Sequence, residues 1–218
     1  MPVTGRSPRR GVGHNRGVAE AGAAPRPPAA SVSQEHFTGM YLAKTDPWDN
    51  ATTWHNRRKY AVTLAGLPRE RYRSAYEPGC AIGVMTRMLA DRCDELLAAD
   101  CVDEAVATAR EQVRDQPHVR VEQAMLPAGL PDATFDLIMI GDLLYYLSAG
   151  DLEAVLDGLV QRLEPDGDIV SVHFRDRQTG GNYDGAQVHA ALAARPGLEP
   201  LVHHEDEWFL LDVLRRSP

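Results

Sequence analysis

The chain has 218 residues and a mass near 24.0 kDa, enough for one domain with appendages and for a full apolar core without disulfide or metal support. Charged residues make up 25% and hydrophobic residues 44%, which excludes a wholly disordered or fibrous chain. The formal net charge is −8, unevenly placed: residues 1–34 carry five arginines against Glu20, whereas residues 35–218 hold 18 basic and 30 acidic groups. Such an acidic body repels a phosphate backbone, so no nucleic-acid partner is expected.

No apolar stretch approaches the roughly 18 residues of a membrane-spanning helix, so no membrane partner is expected. The N-terminus lacks the apolar run of a secretory signal. Cys80, Cys93 and Cys101 have no CxxC spacing and cannot all pair. They read as reduced thiols of a cytoplasmic protein, and no metal site is expected.

In chain order, residues 1–34 are rich in Gly, Ala, Pro and Arg, have no apolar periodicity, and read as a disordered tail. Residues 35–218 read as the folded domain, opened by a helical cap over 35–68. Within the cap, Ala51–Leu64 is compatible with a helix, with Asp49 or Asn50 as N-cap. Strands then alternate with helices. Strands are expected at Arg73–Glu77, Glu95–Asp100, Val119–Gln123, Phe135–Gly141 and Asp168–His173. Helices are expected at Gly83–Cys93, Val102–Gln112, Asp151–Leu163 and Gln187–Ala194. This order implies an α/β fold with a mostly parallel sheet. The last two strands, Glu199–His203 and Trp208–Leu214, lie too close for a crossover helix and imply an antiparallel edge hairpin.

The first chemical feature is Glu77-Pro78-Gly79-Cys80-Ala81-Ile82-Gly83, at a strand-to-helix junction. Glycine lets the backbone turn tightly and approach a ligand closely, at the crevice where open α/β sheets bind ligands. The loop is neither GxGxxG nor a P-loop. The second feature is Asp100, at the end of the next strand, where a carboxylate can accept hydrogen bonds from ribose hydroxyls. The third is Phe135–Asp142, which brings Gly141 and Asp142 to the same crevice.

Together these segments resemble the class I S-adenosylmethionine-dependent methyltransferases. Leu163-Glu164-Pro165-Asp166-Gly167-Asp168 agrees with that family's turn into the fifth strand, and the likeness covers residues 70–214. It implies a Rossmann-like, doubly wound, mostly parallel seven-stranded sheet with a C-terminal antiparallel hairpin, and S-adenosylmethionine as cofactor. A narrower likeness lies in Asp46-Pro47-Trp48, in Trp54-His55-Asn56-Arg57-Arg58-Lys59-Tyr60, in Gly79-Cys80-Ala81 and in Asp142-Leu143-Leu144-Tyr145-Tyr146-Leu147. These segments are similar to the nodulation protein S (NodS-like) methyltransferases, which N-methylate the free amine of a deacetylated glucosamine at the non-reducing end of a chitooligosaccharide.

The resemblance implies roles. Gly79, Cys80, Ala81, Gly83 and Gly141 line the cofactor through their backbone, and Glu77 supports the loop by bonding backbone amides. Asp100 holds the ribose, while Cys101, Ala124 and Met125 flank the adenine. Trp48 and Arg58 form a lid, an aromatic face suiting the sulfonium and a guanidinium the carboxylate; the plainer reading is a packed Trp48 and a solvated Arg58. Asp142, His173 and Tyr146 are the candidate catalytic residues, with Tyr145, Tyr183 and His189 as further groups able to help an amine lose its proton. There are departures: Ala81 replaces a commoner Gly, Met125 stands where many relatives have Asp, Asp142 where the family often has Glu, and residues 173–189 match poorly. The expected partner is a small-molecule acceptor, an amino sugar or oligosaccharide; the alternatives are an O- or N-methyltransferase of another natural product, a Rossmann-type oxidoreductase, and a non-catalytic nucleotide-binding protein.

Overall fold

The computed structural model describes residues 30–176, 178 and 180–218. Residues 1–29, most of the stretch read as a tail, lie outside the described residues. The end of that stretch is part of the fold: Val32 N–H donates to the Tyr146 carbonyl (2.8 Å), and the Ser33 hydroxyl caps the first helix.

Two helices, α1 (Gln34–Ala43) and α2 (Trp54–Gly66), precede the sheet. Helix α1 is not separable in the sequence, because its apolar residues form no clear stripe. The expected caps of α2 are not used. Asp49 sits in the left-handed region (φ 55°), and Asp46 takes the Ala51 N–H (2.9 Å), so the helix begins only after Thr53.

The remaining elements follow the expected alternation: β1 (Tyr72–Pro78), α3 (Val84–Ala90), β2 (Cys93–Asp100), α4 (Asp103–Gln112), β3 (Val119–Gln123), β4 (Phe135–Gly141), α5 (Ala149–Arg162), β5 (Leu163–Phe174), α6 (Gly185–Ala193), β6 (Leu198–Glu205) and β7 (Phe209–Arg216). A short 3₁₀ turn, Leu144–Tyr146, follows β4. The sheet order is β3-β2-β1-β4-β5-β7-β6, with β7 antiparallel to both neighbours. β4 is buried along nearly its whole length because both faces are covered, which explains its continuous apolar run. Helix α3 stops three residues short of Cys93, which is buried as the first residue of β2.

The order reverses between β1 and β4. One neighbour of β1 leads to β2 and β3, the other to β4, β5 and the hairpin. Loops leaving the carboxyl ends of β1 and β4 diverge there and leave a crevice.

Candidate functional site

A cleft of ≈ 1360 Å³, counted out to its open mouth, occupies that crevice. Glu77, Gly79, Asp100, Cys101, Gly141 and Asp142 line it from the sheet side. Helix α1 and the segment after it close it from above: Phe37 meets Tyr146 edge to face, Trp48 packs against Phe37 and Tyr41, and the Gln34 amide donates to the Cys101 carbonyl (2.7 Å).

The loop after β1 is shaped by its backbone. Gly79 (φ +72°) and Gly83 (φ +83°) sit where side chains are strained, and a Cβ on Gly83 would stand 2.9 Å from the Ala109 Cα. Gly83 is not on the cleft wall; it lets α3 start close against α4. Ala81 is also left-handed (φ 51°), a conformation sustained because its N–H donates to Asp100 Oδ2 (2.9 Å). The Val102 N–H donates to Asp100 Oδ1 (3.1 Å), so Asp100 ties the two loops together and keeps its remaining lone pairs toward the cleft. Ala124 N–H donates to the Asp100 carbonyl (2.9 Å), which sets Ala124 and Met125 at the cleft's far end.

Glu77 departs from its expected role. Among the described residues no backbone amide holds it, and its Oε2 is buried without a well-aligned partner. Burial, the largest effect, pushes the carboxyl up to about 8, although the Thr86 hydroxyl beside it acts the other way. An uncompensated carboxyl on a cleft wall costs free energy unless a ligand supplies the partner. The group that fits is a cation, such as the ammonium of an amino-acid moiety.

The loop after β4 is built by side chains distant in sequence. Asp142 is left-handed (φ 49°). Its Oδ1 accepts from the Phe174 N–H (3.0 Å) and the Tyr145 hydroxyl (3.1 Å), and its Oδ2 pairs with Lys59 Nζ. Lys59 is wholly buried, with its ammonium 4.0 Å from the centre of the Phe174 ring. One quarter of the Asp142 side chain stays accessible, toward the cleft.

His173 does not reach the cleft. It is sealed beneath this loop, and its Nε2 accepts the N–H groups of Leu143 (3.3 Å) and Leu144 (3.2 Å). Those two donors require a lone pair on Nε2, so the ring's one proton is on Nδ1. Nδ1 faces Ser171 Oγ (3.1 Å) and His189 Nε2 (3.3 Å), and His189 Nδ1 donates to Asp212 Oδ2 (2.6 Å). Burial holds His173 well below its ordinary range, which keeps it neutral. A neutral ring with both nitrogens engaged is an anchor for the loop, not a base in contact with a ligand. His189, on α6, and Tyr183 are likewise absent from the cleft wall.

Arg58 is the other displaced residue. Its guanidinium pairs with Asp206 and lies 5.4 Å from the Phe209 ring centre, fastening the β6–β7 turn to α2. Of the proposed lid pair, only Trp48 faces the cleft. Lys59, Phe174, Tyr41 and Gln178 join the site without having stood out in the sequence. A signal for Lys59 was present: Asn56, Lys59, Tyr60 and Thr63 are buried at helical spacing, a polar stripe facing inward.

Among the described residues no helix is long and apolar enough to cross a membrane. The Nodulation protein S (NodS) family profile matches residues 33–195. Nodulation protein S of Bradyrhizobium diazoefficiens is 32% identical over 155 residues, 69% of this chain and 74% of that one. Across it and three further rhizobial proteins of the same name, the match spans 65% to 75% of the relative's length. A crystal structure of a candidate methyltransferase from Pseudomonas syringae is 44% identical, covers 75% of this chain and all of its own, and superposes with a TM-score of 0.68. The N-methyltransferase NodS of Bradyrhizobium japonicum WM9, solved with S-adenosyl-L-homocysteine, shares the fold at a TM-score of 0.75 and 23% identity, over 84% of this chain and 98% of its own. The chain belongs to the Nodulation protein S family, S-adenosylmethionine-dependent methyltransferases built on the class I fold.

Proposed function

We propose that this methyltransferase N-methylates an amino sugar at the end of an oligosaccharide, in the cytoplasm, and that the cleft divides into a cofactor half and an acceptor half. The observation that carries the cofactor half is the buried, partnerless Glu77 Oε2 beside the Gly79–Gly83 loop and Asp100. Glu77 receives the cofactor's ammonium. Asp100 accepts from the ribose hydroxyls, Gly79, Cys80, Ala81 and Gly141 form the backbone cradle, and Cys101, Ala124 and Met125 flank the adenine. Gly83 supports that cradle from behind. Trp48 closes the lid from above. When bound, the cofactor supplies a methyl group already activated on a sulfonium sulfur.

The protein's task is then to place the acceptor in line and keep water out, which can remove many kcal/mol of barrier. The acceptor amine binds in its neutral form, donating an N–H to the accessible edge of Asp142 and directing its lone pair toward the methyl group. Asp142 is held for this by Lys59, Tyr145 and the Phe174 N–H. With its oxygens so engaged, it orients the amine and does not take its proton. Tyr146, on the cleft wall, would bound the place where acceptor and cofactor meet, and His173 positions the loop from beneath. The cytoplasmic setting is supported by three free thiols.

The test is transfer of labelled methyl from S-adenosylmethionine to a chitooligosaccharide carrying one free terminal amine, with the fully N-acetylated chain as control. Label on the amine-bearing chain alone is expected. Label on neither, with label on another natural-product amine or hydroxyl, overturns the acceptor reading. Cofactor binding without transfer to any acceptor favours the non-catalytic alternative.

A further inference from the structure

The acceptor half of the cleft continues onto the surface as a row of rings. Phe174 lines the cleft. His55 meets it edge to face (5.6 Å, 72°), and Trp208 lies flat on His55 (5.7 Å, 14°). The three residues come from the end of β5, the start of α2 and the β6–β7 turn, so the row is assembled from distant parts of the chain. Trp208 is 51% exposed. Its turn is held rigidly, because Asp206 Oδ1 accepts the N–H groups of Trp208 (2.8 Å) and Phe209 (3.1 Å), and Arg175 donates to the Asp206 carbonyl (2.9 Å). Arg175 and Glu205 pair at 3.3 Å, each about half exposed, and give the row a charged rim.

An open tryptophan face in a fixed turn, with donors and acceptors beside it, suits a ligand with flat apolar C–H faces and a hydroxyl-rich edge. A pyranose ring has that character. Aromatic side chains of this kind supply large, stiff, amphipathic contact area. A hydrophobic peptide would meet the charged border of Arg175 and Glu205.

We propose that Trp208 and His55 form a subsite for the second and later sugar units of the acceptor, outside the cleft that holds the reacting amine. The inference rests on the acceptor reading given above. It makes Trp208 a determinant of chain-length preference and not of the methyl transfer itself.

The experiment compares the wild-type protein, Trp208→Ala and Trp208→Phe in two assays. In the first, fully N-acetylated chitotetraose, which has no amine to methylate, is titrated by calorimetry in the presence of S-adenosylhomocysteine. In the second, kcat/KM is measured for glucosamine and for a chitotetramer with one free terminal amine. In Trp208→Ala, chitotetraose affinity and the tetramer-to-monomer ratio of kcat/KM are both expected to fall about tenfold, and Trp208→Phe to recover most of both. A ratio unchanged in Trp208→Ala overturns the subsite, as does an equal loss on both acceptors, which marks a merely structural ring. Absence of chitotetraose binding to the wild-type protein overturns it as well. If no amine is methylated but chitotetraose binds through Trp208, the acceptor reading fails while the subsite stands.

Discussion

The two halves proposed for the cleft are built by different means. The cofactor half is local: Glu77 to Gly83 form one turn, and Asp100 closes it through the Ala81 and Val102 N–H groups. The acceptor half is a convergence of side chains. Lys59 from α2, Asp142 after β4, Phe174 at the end of β5 and the imidazoles of His173 and His189 come together across wide gaps in sequence. A backbone cradle binds a constant ligand and tolerates side-chain change. A side-chain network sets what else can enter. Variation of the acceptor between relatives is therefore expected in the second half without disturbance of the first.

The largest effect should come from Asp100→Ala, which removes the proposed ribose acceptor and unties the Ala81 turn together. Its affinity for S-adenosylhomocysteine should fall at least about a hundredfold, as charged hydrogen bonds of this kind contribute roughly 1.5–3 kcal/mol each. Calorimetry on the variant, with a melting curve to confirm that it folds, checks this.

Lys59→Met strands the Asp142 carboxylate at the cleft wall. Breaking a buried pair from one side costs about 3 kcal/mol, or a melting temperature lower by roughly 6–12 °C for a chain of this size. The double variant Lys59→Met, Asp142→Asn removes the stranded charge, suits the left-handed backbone and still accepts the Phe174 N–H, so it should recover part of that stability but not the methyl transfer. If the single variant melts like the wild type, the buried pair does not support the loop.

His173→Leu should lower kcat about tenfold while changing S-adenosylhomocysteine affinity less than about threefold, because it loosens the loop that carries Asp142 and leaves the cradle alone. Glutamine, which can still accept from the loop amides, should restore much of the rate. The positioning role also predicts that the acid limb of the rate profile survives in His173→Leu. Loss of that limb would return His173 to the part of a base.

The smallest effect should be that of Arg58→Ala. Its guanidinium fastens the β6–β7 turn and does not face the cleft, so S-adenosylhomocysteine affinity should change by less than about twofold. A large loss would put it back in the lid.

These contrasts also explain what could be read from the sequence. Hydrophobic periodicity exposed the strand–helix alternation, and β4 was legible from its continuous apolar run. The convergence of Glu77, Gly79 and Asp100 on one cleft was legible because they occupy a short span with a recognisable spacing. Even there, the partnerless state of Glu77 is a property of three-dimensional burial. The acceptor half was not legible to the same degree. Nothing local in Asp142 announces that Lys59 will neutralise it, and nothing in His173 announces that two loop amides will cover its free lone pair. The same holds for Arg58, whose partner Asp206 lies on a distant turn.

The most direct test of the account is the pH dependence of S-adenosylhomocysteine binding. In the ligand-free protein the Glu77 carboxyl, raised to about 8, is protonated below that pH. Since this value lies above that of the unfolded chain, the ligand-free fold loses stability as pH rises between them, and the ligand's ammonium offsets that loss. Placed beside Glu77, the ammonium favours the carboxylate, so binding expels a proton and strengthens as pH rises toward 8, by up to about tenfold per unit. Calorimetry between pH 6 and 8, in buffers of different ionisation enthalpy, should show that gain with proton release, and Glu77→Gln should bind more weakly with a flat profile. Affinity independent of pH with no proton released, or NAD binding in preference to the sulfur nucleotide, would contradict the assignment of this cleft.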